Sequence, residues 1–208
     1  MESSSAQSSV LKWERDDPHY RVIVFSGPEN EAATYDLPDL AVEQVWETVR
    51  VVAQEDSKLW SLALLERDVS GAPGLLWLSG MDYGRAPVSA RDWRRRGEMQ
   101  DRYLAAQAEE GRTPTLPNGL RLIRLFPEWG TESPLWENGT DDYNLDGKDL
   151  GLSAALSADL SAWSAQWGER DEDDETLPPG WLDRGMELWG RVQDELDGIA
   201  EVRPEFLE

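Results

Sequence analysis

Apolar residues recur along this chain in two periods. Short runs rich in β-branched and bulky side chains, bounded by turn residues, fall at Tyr20 to Phe25, Leu59 to Leu65, Gly74 to Leu78 and Leu120 to Phe126, and each predicts a strand. Between the first two, Val42, Val45, Trp46, Val49, Val52 and Ala53 follow the i, i+3, i+4, i+7 spacing of one helix face, with Asp36 or Asp39 available as a cap around Pro38. The stretch Glu66 to Pro73 holds Ser70-Gly71 before Pro73-Gly74, so the second and third strands should form a hairpin. A second helix is predicted from about Ser89 to Glu110, ended by Gly111.

The resulting order, β-α-β-β-α-β, predicts an α+β fold with a ferredoxin-like sheet. Two further helices are expected after it. One carries the stripe Leu152, Leu156, Leu160, Trp163, Trp167, and the other Leu182, Met186, Trp189, Val192, Leu196. The acidic loop between them, Glu169 to Gly180, ends in Pro178-Pro179-Gly180 and should be solvated. Residues 1–12, polar and Ser-rich, are expected to be a flexible tail. Residues 13–208 then form a single α+β domain whose acidic helical part spans about 149–200. A free pair of C-terminal helices would expose several tryptophans, so both stripes should pack onto the body.

Composition adds charge to this picture. The chain has 42 acidic residues against 20 basic ones and a net charge of −22. Residues 127–208 hold 22 acids and 5 bases, so most of the excess lies in the last two-fifths. Such a field repels nucleic acid and anionic lipid and speeds encounter with a basic protein. No apolar run approaches the roughly 20 residues that span a bilayer, and the N-terminus lacks the basic start and apolar segment of a secretion signal. A cytoplasmic location is therefore expected. With no cysteine, thiol nucleophiles and cysteine-ligated zinc are excluded.

Candidate chemistry is sparse. The single histidine, His19, precedes a strand without any partner motif and reads as a strand-edge residue, not as a general base. No P-loop, G-x-G-x-x-G, G-x-S-x-G or H-E-x-x-H occurs. Asp142, Asn144, Asp146 and Gly147 match the first half of a calcium loop, but position 12 is Ser153 and position 8 is Asp149. That run reads instead as an Asx-rich turn entering a helix capped by Asp149 or Ser153, and no metal or cofactor is expected. The basic cluster Arg91, Arg94, Arg95, Arg96, flanked by Arg85 and Arg102, should form salt bridges to the acidic C-terminal part.

Two tryptophans stand apart from the strand and helix patterns. Trp129 and Trp136 lie in an irregular acidic stretch with Glu128, Glu132, Glu137, Asp141 and Asp142, and together these predict a contact surface for a basic protein partner. Two alternatives remain open: a carboxylate-based enzyme, with or without a metal, acting on a glycan or a cationic small molecule, and an assembly component without ligand.

The stretches Leu125-Phe126-Pro127-Glu128-Trp129-Gly130, Pro134-Leu135-Trp136 and Asp149-Leu150-Gly151-Leu152-Ser153, continuing to Trp163 and Trp167, resemble uncharacterised small acidic actinobacterial proteins. That resemblance supplies no catalytic residues. A looser likeness, of size and charge, is to immunity proteins of bacterial toxin systems. It implies a non-catalytic, inhibitor-type protein that engages a basic toxin.

Overall fold

The computed structural model describes residues 16–112, 114–139, 143–171 and 176–207, so the expected tail, 1–12, lies outside the described residues. The fold is mixed α+β, and the described residues form two four-stranded sheets and four α-helices.

The first sheet is antiparallel. Strands β1 (His19–Ser26) and β2 (Glu31–Pro38) form a hairpin, α1 (Val42–Val52) follows, and β3 (Leu59–Arg67) and β4 (Pro73–Ser79) form a second hairpin, giving the order β2-β1-β3-β4. Alternation along the strands sends side chains to two cores. Val22, Val24, Trp60 and Leu62 meet Val45 and Val49 of α1 on one face. Phe25 and Leu59 meet Met81, Met99, Tyr103 and Leu104 on the other, where α2 (Ala90–Glu109) packs. At Gly80, φ is +70°, and a Cβ would sit 2.8 Å from the Met99 sulfur, so the approach of β4 to α2 requires glycine there.

The expected ferredoxin-like sheet is not formed. In that arrangement the last strand pairs with β1. Here β2 already occupies that edge of β1, turning back at once through Gly27 to Asn30, where the Asn30 amide donates to the Gly27 carbonyl at 3.2 Å. The strand expected at 120–126 therefore starts a second sheet. Its β5 (Arg121–Leu125) pairs in parallel with β8 (Ala200–Pro204) and antiparallel with β6 (Leu135–Trp136), and β6 pairs with β7 (Asn144–Leu145).

Both expected C-terminal helices are present, α3 (Ala154–Gly168) and α4 (Trp181–Glu195), and they pack on the second sheet. Ser153 caps α3, accepting from the Leu156 amide at 3.3 Å. The core there joins Ile123, Leu125, Leu135, Leu156, Leu160, Trp163, Trp181, Leu188, Val192 and Val202. Each such burial stabilises by about 1.5–3 kcal/mol relative to exposure. The Trp163 and Trp181 rings stack at 4.4 Å, and each indole N–H donates to the other residue's carbonyl at 3.1 Å. Of the stripe expected on α4, Val192 and Leu196 are buried and Trp189 packs against this core, but Leu182 and Met186 are exposed, and Trp181, Gly185 and Leu188 are buried in their place. Gly185 marks the closest approach, against Trp163 and Phe206.

Helix α2 also meets the opposite face of the second sheet. Leu122 joins the α2 core, and the outward side chains of β8 reach α2 through charges. Arg96 grips Glu201 with two hydrogen bonds of 2.6 and 3.0 Å, and Gln100 donates to Glu201 and to the Tyr83 hydroxyl. Arg203 donates to the Gly97 carbonyl, to Asp101 and to Glu205, which Arg124 also holds at 2.8 Å. Burial, with the Glu201 charge nearby, pushes the Tyr83 hydroxyl up to about 12. Arg96 thus makes the bridge expected between the basic cluster and the acidic C-terminal part. The α1 cap differs from expectation: Asp36 pairs with Arg21 across the β1–β2 hairpin at 2.7 Å, and Gln44 accepts from the Ala41 amide. Among the described residues no helix is long and apolar enough to cross a membrane.

Candidate partner-binding site

The segment joining β5 to β6 is short of regular structure and is held by specific contacts. A turn from Glu128 to Thr131, closed by the Thr131 amide and hydroxyl on the Glu128 carbonyl at 3.3 and 2.9 Å, carries Trp129 at its tip. Trp129 is 41% exposed and leans on Trp167 of α3 with ring centroids 4.7 Å apart. The Arg170 guanidinium lies 4.8 Å from the Trp167 ring, so the platform beneath Trp129 is fixed from both helix and loop. An exposed indole already held in place loses little freedom on binding, which is the property of an interface anchor. Glu128 and Glu132 flank it, exposed, and among the described residues neither has an ion pair.

Trp136 and Glu137, expected beside Trp129 on that surface, turn inward. Trp136 is 2% exposed; its ring stacks on Phe126 at 5.1 Å and its indole N–H donates to the Phe126 carbonyl at 2.8 Å. As a β6 residue it is paired with Arg124 of β5 on one side and Asn144 of β7 on the other. Glu137 is 8% exposed and takes a two-point grip from Arg121 at 2.8 and 2.6 Å. Asp141 and Asp142 lie outside the described residues.

Glu132 stands at a cavity of about 340 Å³. Leu135, Leu152 and Leu160 supply its apolar lining, with Ser133, Ser157, Ser161 and Ala154 around them and Glu132, Asp146 and Lys148 among its charged residues. Two features position these groups. The 3-10 turn Gly147–Leu150 folds against α3 so closely that a Cβ on Gly147 would overlap the Ser157 hydroxyl. The Asn144 amide meanwhile donates to the Ser133 and Leu135 carbonyls at 2.9 and 3.2 Å, locking β7 to β6. In the calcium-like run, Asn144 thus serves the sheet and Asp146 pairs with Lys148 at 2.7 Å. No group of three or more metal-ligating side chains occurs among the described residues. The only advance signal of the cavity was Ser153, Ser157 and Ser161 at helical spacing.

Elsewhere, a cavity of about 510 Å³ at the end of the first sheet is lined by His19, Arg21, Asp36 and Arg67. Its central charges already satisfy one another, because Arg21 meets Asp36 with two hydrogen bonds of 2.7 and 2.8 Å. The buried carboxylates of the second sheet are similarly engaged as counter-ions. For Glu205, burial raises the pKa, but hydrogen bonds and charge from Arg124 and Arg203 outweigh it and hold the group below its ordinary 4.5. A carboxylate so held stays ionised at neutral pH, unlike a general acid.

No curated protein and no solved structure matches the chain. Residues 121–203 match a family model described as Serratia CdiI immunity protein-like. The match runs from β5 through β8 and so covers the second sheet, α3, α4, Trp129 and the cavity, less than half of the chain. Over that stretch the protein is similar to immunity proteins of a bacterial toxin system.

Proposed function

We propose that this chain is a non-catalytic immunity protein, which binds a protein toxin and blocks it. The observation that carries the reading is the family match over residues 121–203, a span that holds 20 acids against 7 bases. The acidic field would steer a basic toxin toward the second sheet and its helices. Trp129, presented on Trp167, would be the contact that holds it, with Glu128 and Glu132 setting orientation. Trp136 and Glu137 support that surface from beneath; their loss would act through the fold. The proposal places this encounter in the cytoplasm, where the neutralised toxin would otherwise act.

A toxin and the protein that neutralises it must be inherited together, so the adjacent reading frame supplies the candidate partner. Expression of that product in a heterologous host should arrest growth, and co-expression of this chain should restore it. Arrest that persists at equal or higher levels of this chain would refute the proposal.

A further inference from the structure

We infer that the cavity at Glu132 receives an arginine side chain of the protein partner. This deepens the immunity reading and rests on it for the source of the arginine. The chemistry of the walls points to the guanidinium. Ser133 donates its hydroxyl proton to the Leu145 carbonyl at 2.5 Å, and Ser157 donates its own to the Ser153 carbonyl at 3.1 Å. Both protons are committed, so what these hydroxyls offer an occupant is lone pairs. Glu132 adds a carboxylate without an ion pair among the described residues, and Asp146, paired with Lys148, adds acceptor oxygens but no net charge. A lining rich in acceptors calls for an occupant made of donors, and it penalises one that brings further acceptors.

The rest of the lining selects among donors. Leu135, Leu152 and Leu160 suit a stem of methylene groups, so a long cationic side chain fits better than a small amine. Acceptors from a serine pair and from separate carboxylates favour a planar fork of five N–H groups over a point charge. Two local charges oppose a cation. Lys148 is on the rim, but it is occupied by Asp146 at 2.7 Å. The N-terminus of α3 is also close, but Ser153 caps it and the Glu195 carboxylate accepts from the Ser153 amide and hydroxyl at 2.7 and 2.8 Å, placing a negative charge there. The balance therefore remains with a cation.

The test uses the full chain, labelled with ¹⁵N, and three capped amino acids: N-acetyl-arginine amide, its neutral urea analogue of the same shape, N-acetyl-citrulline amide, and N-acetyl-lysine amide. The arginine probe should move the amide signals of Ser133, Gly147, Ser157 and Ser161, and the citrulline probe should bind at least tenfold more weakly. Ser161→Leu, which fills the cavity from an exposed helix position, should abolish the shifts, and Glu132→Gln should weaken them several-fold. Equal response to both probes, response of N-acetyl-lysine amide as strong as that of arginine, or shifts confined to other regions would overturn the assignment. The toxin gives a separate readout. A partner neutralised as well by Ser161→Leu as by the native chain would remove the cavity from the interface and leave the immunity reading intact. Uptake of arginine by a chain that neutralises nothing would do the reverse.

Discussion

Replacing Gly185 with alanine reads the seating of α4 directly. Glycine inside a helix ordinarily costs about 1 kcal/mol relative to alanine, so on propensity alone the change stabilises. Packing reverses the sign. A Cβ at Gly185 would lie 2.8 Å from a Phe206 ring carbon and 2.9 Å from a Trp163 ring carbon. Neither ring can yield cheaply, since Trp163 stacks on Trp181 and the Phe206 ring meets both edge-on at 5.2 and 5.9 Å. Overpacking of this kind costs about 1–3 kcal/mol, and rigid aromatic neighbours place it in the upper part of that range. The net expectation is a loss of about 1–2 kcal/mol, or roughly 2–8 °C in melting temperature for a chain of this size. Gly190 on the same helix is the control, because a Cβ there meets nothing within 4 Å. Gly190→Ala should gain up to about 1 kcal/mol, so identical substitutions on one helix shift the melt in opposite directions. Urea titration and thermal melts of both variants check this. A Gly185→Ala chain at least as stable as the native one would mean that α4 does not present the Trp181, Gly185, Leu188, Val192 face to the sheet.

Two further predictions concern charge. The folded pKa of Glu205 is depressed below 4.5, so its contribution to stability is fully present above that value and is lost as pH falls through the depressed folded pKa. Glu205→Gln should therefore cost at least about 1 kcal/mol at neutral pH, and the gap to the native chain should close in melts taken below pH 4.5; a gap independent of pH would contradict the assignment. Melting temperature should also rise between about 0.01 M and 0.15 M monovalent salt, as the Debye length falls from about 30 to 8 Å and exposed carboxylates of residues 127–208 cease to repel one another. The buried Arg96–Glu201 and Arg203–Glu205 pairs are screened far less, so a melt that falls with salt would show that exposed ion pairs outweigh the repulsion.

What the sequence made legible follows from where side chains go. Helices α1 and α2 and both C-terminal helices carry buried residues at helical spacing and were readable for that reason, whereas the β3–β4 hairpin was readable from its apolar runs on either side of Ser70-Gly71. Strand β2 was not, because none of its residues is buried and, unlike the equally exposed β4, it carries no apolar run. Strand β8 alternates Ala200, Val202 and Pro204 with Glu201 and Arg203; its charges are buried against α2, and its partner β5 is distant in sequence. Missing those two strands is what turned two sheets into one ferredoxin-like sheet. Only the start of the α4 stripe was misassigned, at Leu182 and Met186, because Gly185, at the closest contact, carries no hydrophobic signal. At the site, Trp129 was identifiable as an aromatic outside any period. The same argument misplaced Trp136, whose two-residue strand is too short to show alternation. The cavity depends on the meeting of the β5–β6 loop, a 3-10 turn and α3, a tertiary event with only a serine spacing to mark it.

The account stands most directly on one binding measurement: titration of the purified chain with the purified toxin domain from the adjacent reading frame, repeated with Trp129→Ala. The expected result is a stoichiometric complex whose association rate falls as salt rises. Trp129→Ala should weaken it by about 2 kcal/mol or more, roughly thirtyfold, while the thermal melt of the free chain stays within about 1–2 °C of native. Absence of a complex at about 10 μM of each protein, or a complex indifferent to Trp129, would contradict it.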